Sequence, residues 1–179
     1  MAMFRTIEEN HADPDTARIY REILEVKHIR FVPNFFKTLA NSPTALRGTW
    51  DVYREVSTQG LVEEALKEMI FVAISAAKKC AYCQAAHLAF CRILKVDRET
   101  CENLVHNVDK LRPLRVRDVV RFAIKVGTAP KTLTEKDYRT LKKHNLSDEE
   151  IIEIVAMCGF AVYAITLAEA LKLEVEEWD

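Results

Sequence analysis

The apolar residues of this chain recur at the three- and four-residue spacing of amphipathic α-helices. Residues 16–26 give the first example, after the helix-start signal DPD, and two more helices are expected between residues 31 and 56. The same spacing predicts six further helices, over residues 61–77, 80–94, 98–105, 115–126, 135–143 and 150–171. Because no segment alternates polar and apolar residues as a strand does, we expect an all-α fold.

Two of the predicted helices begin in a similar way, which suggests a degenerate internal repeat. Residues 61–68 (LVEEALKE) align with residues 146–153 (LSDEEIIE) at a shift of 85 residues, and this alignment pairs Glu68 with Glu153. The second copy lacks the cysteines and the histidine that the first copy carries at the matching positions. A shared helix-capping pattern without a true repeat is the open alternative.

Length and composition narrow the class of protein. A chain of 179 residues is long enough for one sizeable core and short for two, so we expect a single domain over residues 1–179. Its 26 basic and 27 acidic residues give a net charge of −1, which does not mark a nucleic-acid-binding protein. A hydrophobic fraction of 49% beside only 4 Gly and 5 Pro argues against disorder and against a turn-rich β-sandwich.

The sequence also indicates a location in the cytoplasm. The N-terminal residues MAMFRTIEE become acidic too early for the apolar core of a secretory signal. The longest uncharged stretch, residues 154–168, rises only about 22 Å as a helix, short of the ~30 Å hydrocarbon core of a membrane. Five cysteines without a signal peptide argue against a secreted disulfide framework. We therefore expect a cytoplasmic protein that does not cross a membrane and whose cysteine pairing, if any, is redox chemistry.

The most informative segment is Glu68-x11-Cys80-x2-Cys83-x3-His87. On one helix Cys80 and Cys83 are i,i+3 neighbours, and Cys83 and His87 are i,i+4 neighbours, so two thiols and an imidazole share a face. If the helix begins near Cys80, its free N–H groups favour a thiolate, and the two preceding lysines add positive charge. The pattern predicts a reactive dithiol. The alternative is core filling by buried cysteines, which often fall at helical spacing.

Glu68 joins this group only if the chain reverses between the two helices. On one straight helix Glu68 and Cys80 are about 18 Å apart, beyond contact. An antiparallel hairpin with its turn at residues 77–79 places Glu68 opposite His87, where the carboxylate can orient or deprotonate the imidazole. Glu68 also interrupts an apolar run, and a buried carboxylate requires a partner or a proton. A place on the solvated edge of the helix is the alternative for this residue.

A zinc site is the main chemical alternative for these residues. Cys80, Cys83, His87 and Cys91 follow the pattern C-x2-C-x3-H-x3-C along one helix face. A continuous helix separates Cys80 from Cys91 by about 16 Å, whereas tetrahedral ligands lie within about 4 Å of one another. Four ligands therefore require a broken helix, while three ligands and a water stay open as an alternative. We expect no bound metal and no other cofactor.

The segment with this motif resembles the alkylhydroperoxidase D core within the carboxymuconolactone decarboxylase-like superfamily. Residues 32–77 are similar to the peroxidase-related branch of that superfamily, and the whole resemblance covers roughly residues 31–171. It implies an all-helical bundle that assembles as a homo-oligomer, a trimer or a hexamer. The best-known members carry a His just before the second Cys, whereas this chain has Tyr82, as the peroxidase-related branch often does.

The resemblance also implies roles for the residues of the motif. Cys83 is then the peroxide-reactive thiol that becomes a sulfenic acid, Cys80 closes the disulfide, and His87 and Glu68 form a proton relay. The expected activity is a thiol-dependent alkyl hydroperoxidase. Its partners are a peroxide and a thiol or dithiol reductant, such as a lipoyl protein or a thioredoxin-like protein. A non-catalytic helical oligomer whose cysteine pair is structural or binds a metal is the alternative from another functional class.

Overall fold

The computed structural model describes residues 3–178, and within them the chain is helical and has no strand. Its α-helices are α1 (Pro14–Lys27), α2 (Asn34–Leu39), α3 (Pro43–Thr58), α4 (Glu64–Ala77), α5 (Ala81–Ile93), α6 (Arg98–His106), α7 (Leu114–Thr128), α8 (Glu135–Lys143) and α9 (Asp148–Ala170). Short 3-10 turns occupy Glu9–His11, Val108–Lys110 and Pro130–Thr132. The predicted all-α fold is confirmed.

Local capping signals explain where the helices begin. The Asp13 side chain accepts hydrogen bonds from two backbone N–H groups of the first turn of α1, and Pro14 occupies its first position. At the start of α9, Ser147 and Glu150 form a reciprocal capping box. These caps satisfy backbone groups that have no partner inside the helix. Both helices therefore start within two residues of the predicted positions.

Helix α4 starts three residues later than the sequence pattern predicts. Gly60 adopts a positive φ of 98°, which glycine tolerates without strain. The backbone N–H groups of Leu61 and Val62 then donate to the Glu153 carboxylate of α9, at 2.8 and 2.9 Å. These amides are satisfied by a distant side chain and not by a helical turn. The helix therefore begins only at Glu64.

Helix α4 is the centre of the bundle. It packs against α5, α6, α7 and α9, and all of its residues from Leu66 to Ser75 are buried. Helix α7 can approach closely because Gly127 faces α4, where a Cβ atom would stand 2.9 Å from Ile74. Close packing of this kind fixes the direction of every side chain on the helix. A polar residue on α4 is therefore held in one place within an apolar surrounding.

Helix α9 combines a buried face with an exposed apolar face. Within residues 3–178 it is the one helix long and apolar enough to span a membrane, at 23 residues, yet half of its most apolar stretch is buried inside the protein. Burial of this kind is typical of a core helix, which is what the sequence predicts. The helix extends beyond the uncharged stretch of residues 154–168 at both ends. Its outward face carries a stripe of exposed residues, which we call the α9 stripe: Ile152, Val155, Ala156, Gly159 and Tyr163.

Candidate functional site

The chain reverses between α4 and α5 through a tight turn, as the sequence predicts. Helix α4 ends at Ala77, Lys79 adopts a left-handed φ of 59°, and the N–H of Cys80 donates to the Ser75 carbonyl at 3.0 Å. The two helices then run side by side as an antiparallel hairpin. The hairpin brings a carboxylate in the middle of α4 next to an imidazole in the middle of α5.

Cys80 and Cys83 occupy the N-terminal end of α5, and both are buried. Cys80 is the residue that caps the helix, and its sulfur accepts a hydrogen bond from the Cys83 backbone N–H at 3.4 Å. Hydrogen bonding with Cys83 lowers the pKa of the Cys80 thiol, whereas hydrogen bonding with Cys80 and burial raise the pKa of the Cys83 thiol. The two coupled thiols therefore differ in acidity, and the lower pKa belongs to Cys80.

Glu68 and His87 form a buried hydrogen-bonded pair, with 2.5 Å between Glu68 Oε2 and His87 Nδ1. Burial lowers the pKa of His87 below its ordinary value. Burial by itself raises the pKa of the Glu68 carboxyl, but the nearby Lys27 and the bond with His87 lower it to about 2. Glu68 is therefore ionised and can only accept, so that the neutral imidazole donates from Nδ1. The other ring nitrogen, Nε2, is left as the proton acceptor.

Two further residues complete this cluster, and the sequence reasoning missed both. The Lys27 ammonium group of α1 lies 2.9 Å from Glu68 Oε1, and the Tyr53 hydroxyl group of α3 donates to the same oxygen at 3.2 Å. Lys27 also carried a signal in the sequence, because it follows Ile19 and Ile23 at i,i+4 spacing on the buried face of α1. A lysine on that face marks a buried counter-charge. Tyr53 carried no comparable signal, since tyrosine is ordinary in an apolar helix face.

A small cavity of about 40 Å³ adjoins the pair, and both Cys83 and His87 line it. Most of its remaining wall is aromatic, formed by Phe35, Phe36, Tyr53, Phe71, Tyr82, Phe90 and Phe160. The His87 ring is held by stacking on Phe71, with 3.4 Å between ring centroids. Within residues 3–178, Cys83 and His87 share this cavity without a hydrogen bond to each other. The cavity has room for a water-sized molecule between them.

The C-terminal segment after α9 packs against the same region. Tyr82 donates from its hydroxyl to Glu176 Oε1 at 2.9 Å and accepts from the Phe35 backbone N–H, also at 2.9 Å. The Trp178 ring packs edge-on against Phe90, with 5.3 Å between centroids. Burial raises the pKa of the Glu176 carboxyl. Tyr82, which interrupts the cysteine pair in the sequence, thus anchors α5 to both α2 and the C-terminal segment.

The residues of the zinc alternative do not converge on one point. Cys91 lies at the far end of α5, where its thiol interacts with Cys101 of α6 and not with the pair at the helix N-terminus. Across the described part of the chain, no group of three His, Cys, Asp or Glu side chains is arranged to hold a metal ion. The arrangement can instead move a proton and exchange a thiol pair for a disulfide.

The fold is an all-helical fold of the alkylhydroperoxidase D-like type, and its α4–α5 hairpin carries a dithiol at one end and a buried Glu–His pair in its middle. The model of the carboxymuconolactone decarboxylase family matches residues 43–108. Over these residues the chain is similar to that family, and its fold is similar to that of alkylhydroperoxidase D-like proteins. The predicted resemblance is confirmed. No curated protein matches the sequence.

Two solved structures resemble the whole chain at 28% identity. One is an alkylhydroperoxidase AhpD core described as an uncharacterized peroxidase-related protein from Ralstonia eutropha, with a TM-score of 0.89 over 98% of this chain and 93% of that one. The other is an uncharacterized peroxidase-related protein from a Silicibacter species, with a TM-score of 0.84 over 98% and 95%. The debrominase Bmp8, at 19% identity and a TM-score of 0.84 over 97% of this chain and 92% of its own, shares the fold.

Proposed function

We propose that this protein is a thiol peroxidase that reduces a peroxide with Cys83 and Cys80. His87 takes the Cys83 thiol proton, and the resulting thiolate attacks the distal peroxide oxygen. The O–O bond breaks, and the leaving oxygen takes the proton from His87 and departs as an alcohol or as water. Cys83 is then a sulfenic acid. The Cys80 sulfur attacks it, a disulfide forms, and the sulfenic hydroxyl leaves as water with the proton of the Cys80 thiol. Two electrons pass from the dithiol to the peroxide.

The observation that carries this proposal is that Cys83 and His87 line the same cavity while Glu68 holds the other side of His87. The imidazole has Nε2 free to accept a proton, and a peroxide in the cavity spans the gap between the thiol and the ring. The rise in positive charge on His87 is stabilised by the ionised Glu68. The four motif residues thus supply a nucleophile, a resolving thiol, a base and a residue that orients the base.

The two thiols divide the work because access and acidity favour different sulfurs. Cys83 lines the cavity, whereas Cys80 is fully buried and is not among the lining residues. Hydrogen bonding with Cys83 lowers the pKa of Cys80, so Cys80 is ready as a nucleophile once Cys83 is oxidised. A peroxide that enters the cavity meets Cys83 first. This supports Cys83 as the attacking residue and Cys80 as the resolving residue.

A thiol titration tests the proposal against the alternative of a structural or metal-binding cysteine pair. The reduced protein is treated with one equivalent of hydrogen peroxide or an organic hydroperoxide, and the free thiols and the metal content are measured before and after. We expect two of the five thiols to be lost in metal-free protein. The Cys80→Ser/Cys83→Ser variant keeps the other three cysteines, and none of their thiols should be lost at the wild-type rate. Equal thiol loss in this variant, or none in the wild type, contradicts the proposal.

The electron donor is a thiol or dithiol, and we propose a lipoyl or thioredoxin-like protein in the cytoplasm. A panel of reductants in turnover assays identifies it, because only a productive donor sustains peroxide consumption beyond one equivalent.

We also propose a homo-oligomer, a trimer or a hexamer. The exposed α9 stripe supports this, since Ile152 is 67% exposed and Tyr163 is 45% exposed on one continuous apolar helix face. A monomer by light scattering at micromolar concentration contradicts it.

A further inference from the structure

Lys27 is a buried lysine that makes contacts with both carboxylates of one face of α4. Its Nζ lies 2.5 Å from Glu64 Oε1 and 2.9 Å from Glu68 Oε1, and its side chain is 2% exposed. The ammonium group also lies over the Phe90 ring, 4.8 Å from the centroid. A charged amine is rarely taken so far from water unless it has partners. The position therefore indicates a specific electrostatic role.

The hydrogen bonds of Glu68 divide cleanly between its two oxygens. Oε1 accepts from Lys27 Nζ and from the Tyr53 hydroxyl, and Oε2 pairs with His87 Nδ1. The carboxylate is fully buried, so its negative charge depends on these partners. Lys27 is the only permanent cation among the three. The state of Glu68, and through it the state of His87, thus depends on a residue from the first helix of the chain.

We propose that Lys27 is a positioning residue of the thiol site: its buried ammonium group keeps Glu68 ionised and thereby keeps His87 neutral, with Nδ1 as the donor and Nε2 as the base. This proposal rests on the proposed function and deepens it. Lys27 touches neither the cysteines nor the cavity, and it acts through Glu68.

Charge balance explains the effect. Together, Lys27 and Glu68 are a neutral pair, and a neutral imidazole adds no charge to the apolar interior. Without the ammonium group, the same interior holds an uncompensated carboxylate, which a proton on the Glu68–His87 pair neutralises. The structure agrees with this direction, because burial and the charge of Lys27 lower the pKa of His87 while Glu68 opposes them. Removal of Lys27 therefore makes the imidazole easier to protonate.

Few other titratable groups lie around His87 to cause such a change in the protonation of its imidazole. Glu68 faces it from α4, Tyr53 from α3, and Cys83 across the cavity from its own helix. Helices α2 and α9 contribute only apolar side chains to this cavity, among them Phe36 and Phe160. Tyr82 also lines this cavity and is hydrogen-bonded to Glu176 of the C-terminal segment. Lys27 contacts Glu68, and Glu64 contacts Lys27.

The test compares Lys27→Met with Lys67→Met, because the chain offers a second buried lysine as a matched control. Lys67 is 1% exposed on α4, bonds to the Gln59 carbonyl and lies 3.4 Å from Glu153, away from Glu68. The His87 imidazole is titrated by NMR in the wild type and in both variants, with His87→Ala to assign its signal. We expect Lys27→Met to raise the His87 midpoint by about one pH unit, and Lys67→Met to leave it unchanged.

Glu64→Gln gives an expected shift of the opposite sign. This substitution removes a carboxylate from Lys27 at a side chain that is 29% exposed, so the fold should tolerate it if Lys27→Met fails to fold. With Glu64 neutral, the charge of Lys27 is less compensated, and the His87 midpoint should fall by a fraction of a pH unit. Lys27→Arg keeps the positive charge and should hold the midpoint close to that of the wild type.

The same shift should appear in the chemistry. In single-turnover oxidation of the dithiol, the acidic limb of the rate profile should move to higher pH in Lys27→Met, with roughly a tenfold loss of rate below the midpoint and a smaller loss above it. An unchanged His87 titration in Lys27→Met and Glu64→Gln overturns the inference. A shifted titration in a protein that consumes no peroxide leaves the inference intact and refutes the proposed function, so the two failures are distinguishable.

Discussion

Glu68 and His87 lie 19 residues apart in the sequence, yet they meet across the α4–α5 hairpin with 2.5 Å between Oε2 and Nδ1. The pair is buried among aromatic rings, and Lys27 balances its charge from a third helix. Such a pair is costly to bury unless each hydrogen-bonding group has a partner. The site is therefore a small polar cluster inside an apolar core, with the dithiol at its edge.

The first prediction concerns the two cysteines. Cys83→Ser should abolish peroxide consumption, because the hydroxyl that replaces the thiol is a poor nucleophile next to the cavity. Cys80→Ser should still form a sulfenic acid at Cys83, which dimedone traps and mass spectrometry locates. A dimedone adduct on Cys80 in Cys83→Ser, with none on Cys83 in Cys80→Ser, would exchange the two roles.

The second prediction is that Glu68 and His87 act as one unit. Glu68→Gln keeps the shape of the side chain but removes the charge that stabilises the protonated imidazole, so the rate of thiol oxidation should fall by about ten- to a hundredfold. In a His87→Ala background the same substitution should cost much less, because residues of one relay are not additive. Stopped-flow rates for the four proteins of this cycle measure the coupling. Independent, multiplicative losses would refute the relay.

The third prediction concerns stability in acid. Burial alone raises the pKa of Glu68, but Lys27 and His87 lower it to about 2 from the ordinary value of 4.5. The unfolded chain therefore binds a proton at a higher pH than the folded chain does, so the contribution of Glu68 to stability is complete above pH 4.5 and is lost as the pH falls toward about 2.

Urea denaturation at several pH values checks this expectation. The wild-type free energy of unfolding should decline more steeply over that interval than the free energy of Glu68→Gln. Glu149→Gln removes an exposed carboxylate from α9 and should keep the wild-type slope. If the free energies of unfolding of the wild type and Glu68→Gln fall in parallel with pH, the ionisation of Glu68 does not contribute to stability.

The fourth prediction concerns the α9 stripe as a contact between copies of the chain. Ile152→Glu places a charge on the most exposed large apolar residue of the stripe, where a contact desolvates it without a partner, and should convert the oligomer to smaller species. Ile93→Glu changes another exposed apolar residue, at the end of α5, and should leave the assembly unchanged. Light scattering at matched concentrations measures both. Identical masses for the wild type and Ile152→Glu would show that the α9 stripe is not part of the interface.

The sequence predicted the helices well where capping and periodicity agree. Helix α8 begins and ends where its pattern predicts, and α9 differs by two residues at its start and one at its end. The start of α4 differed because Glu153, 92 residues from Leu61, binds the amides that the pattern assigned to a first turn. The internal repeat that pairs Glu68 with Glu153 stays a prediction. Glu153 serves here as a cap and a partner of Lys67.

The sequence by itself determined the helices of the motif and the order of reactive groups along them, because helical spacing fixes which neighbours share a face. It indicated the hairpin only as the condition under which Glu68 meets His87. Only the tertiary structure decided which residues surround Glu68. Lys27 and Tyr53 reach it from α1 and α3, which local spacing does not relate to α4. It also decided that the lowered pKa belongs to the Cys80 thiol while Cys83 lines the cavity, since acidity and access depend on burial and on partners that only packing brings together.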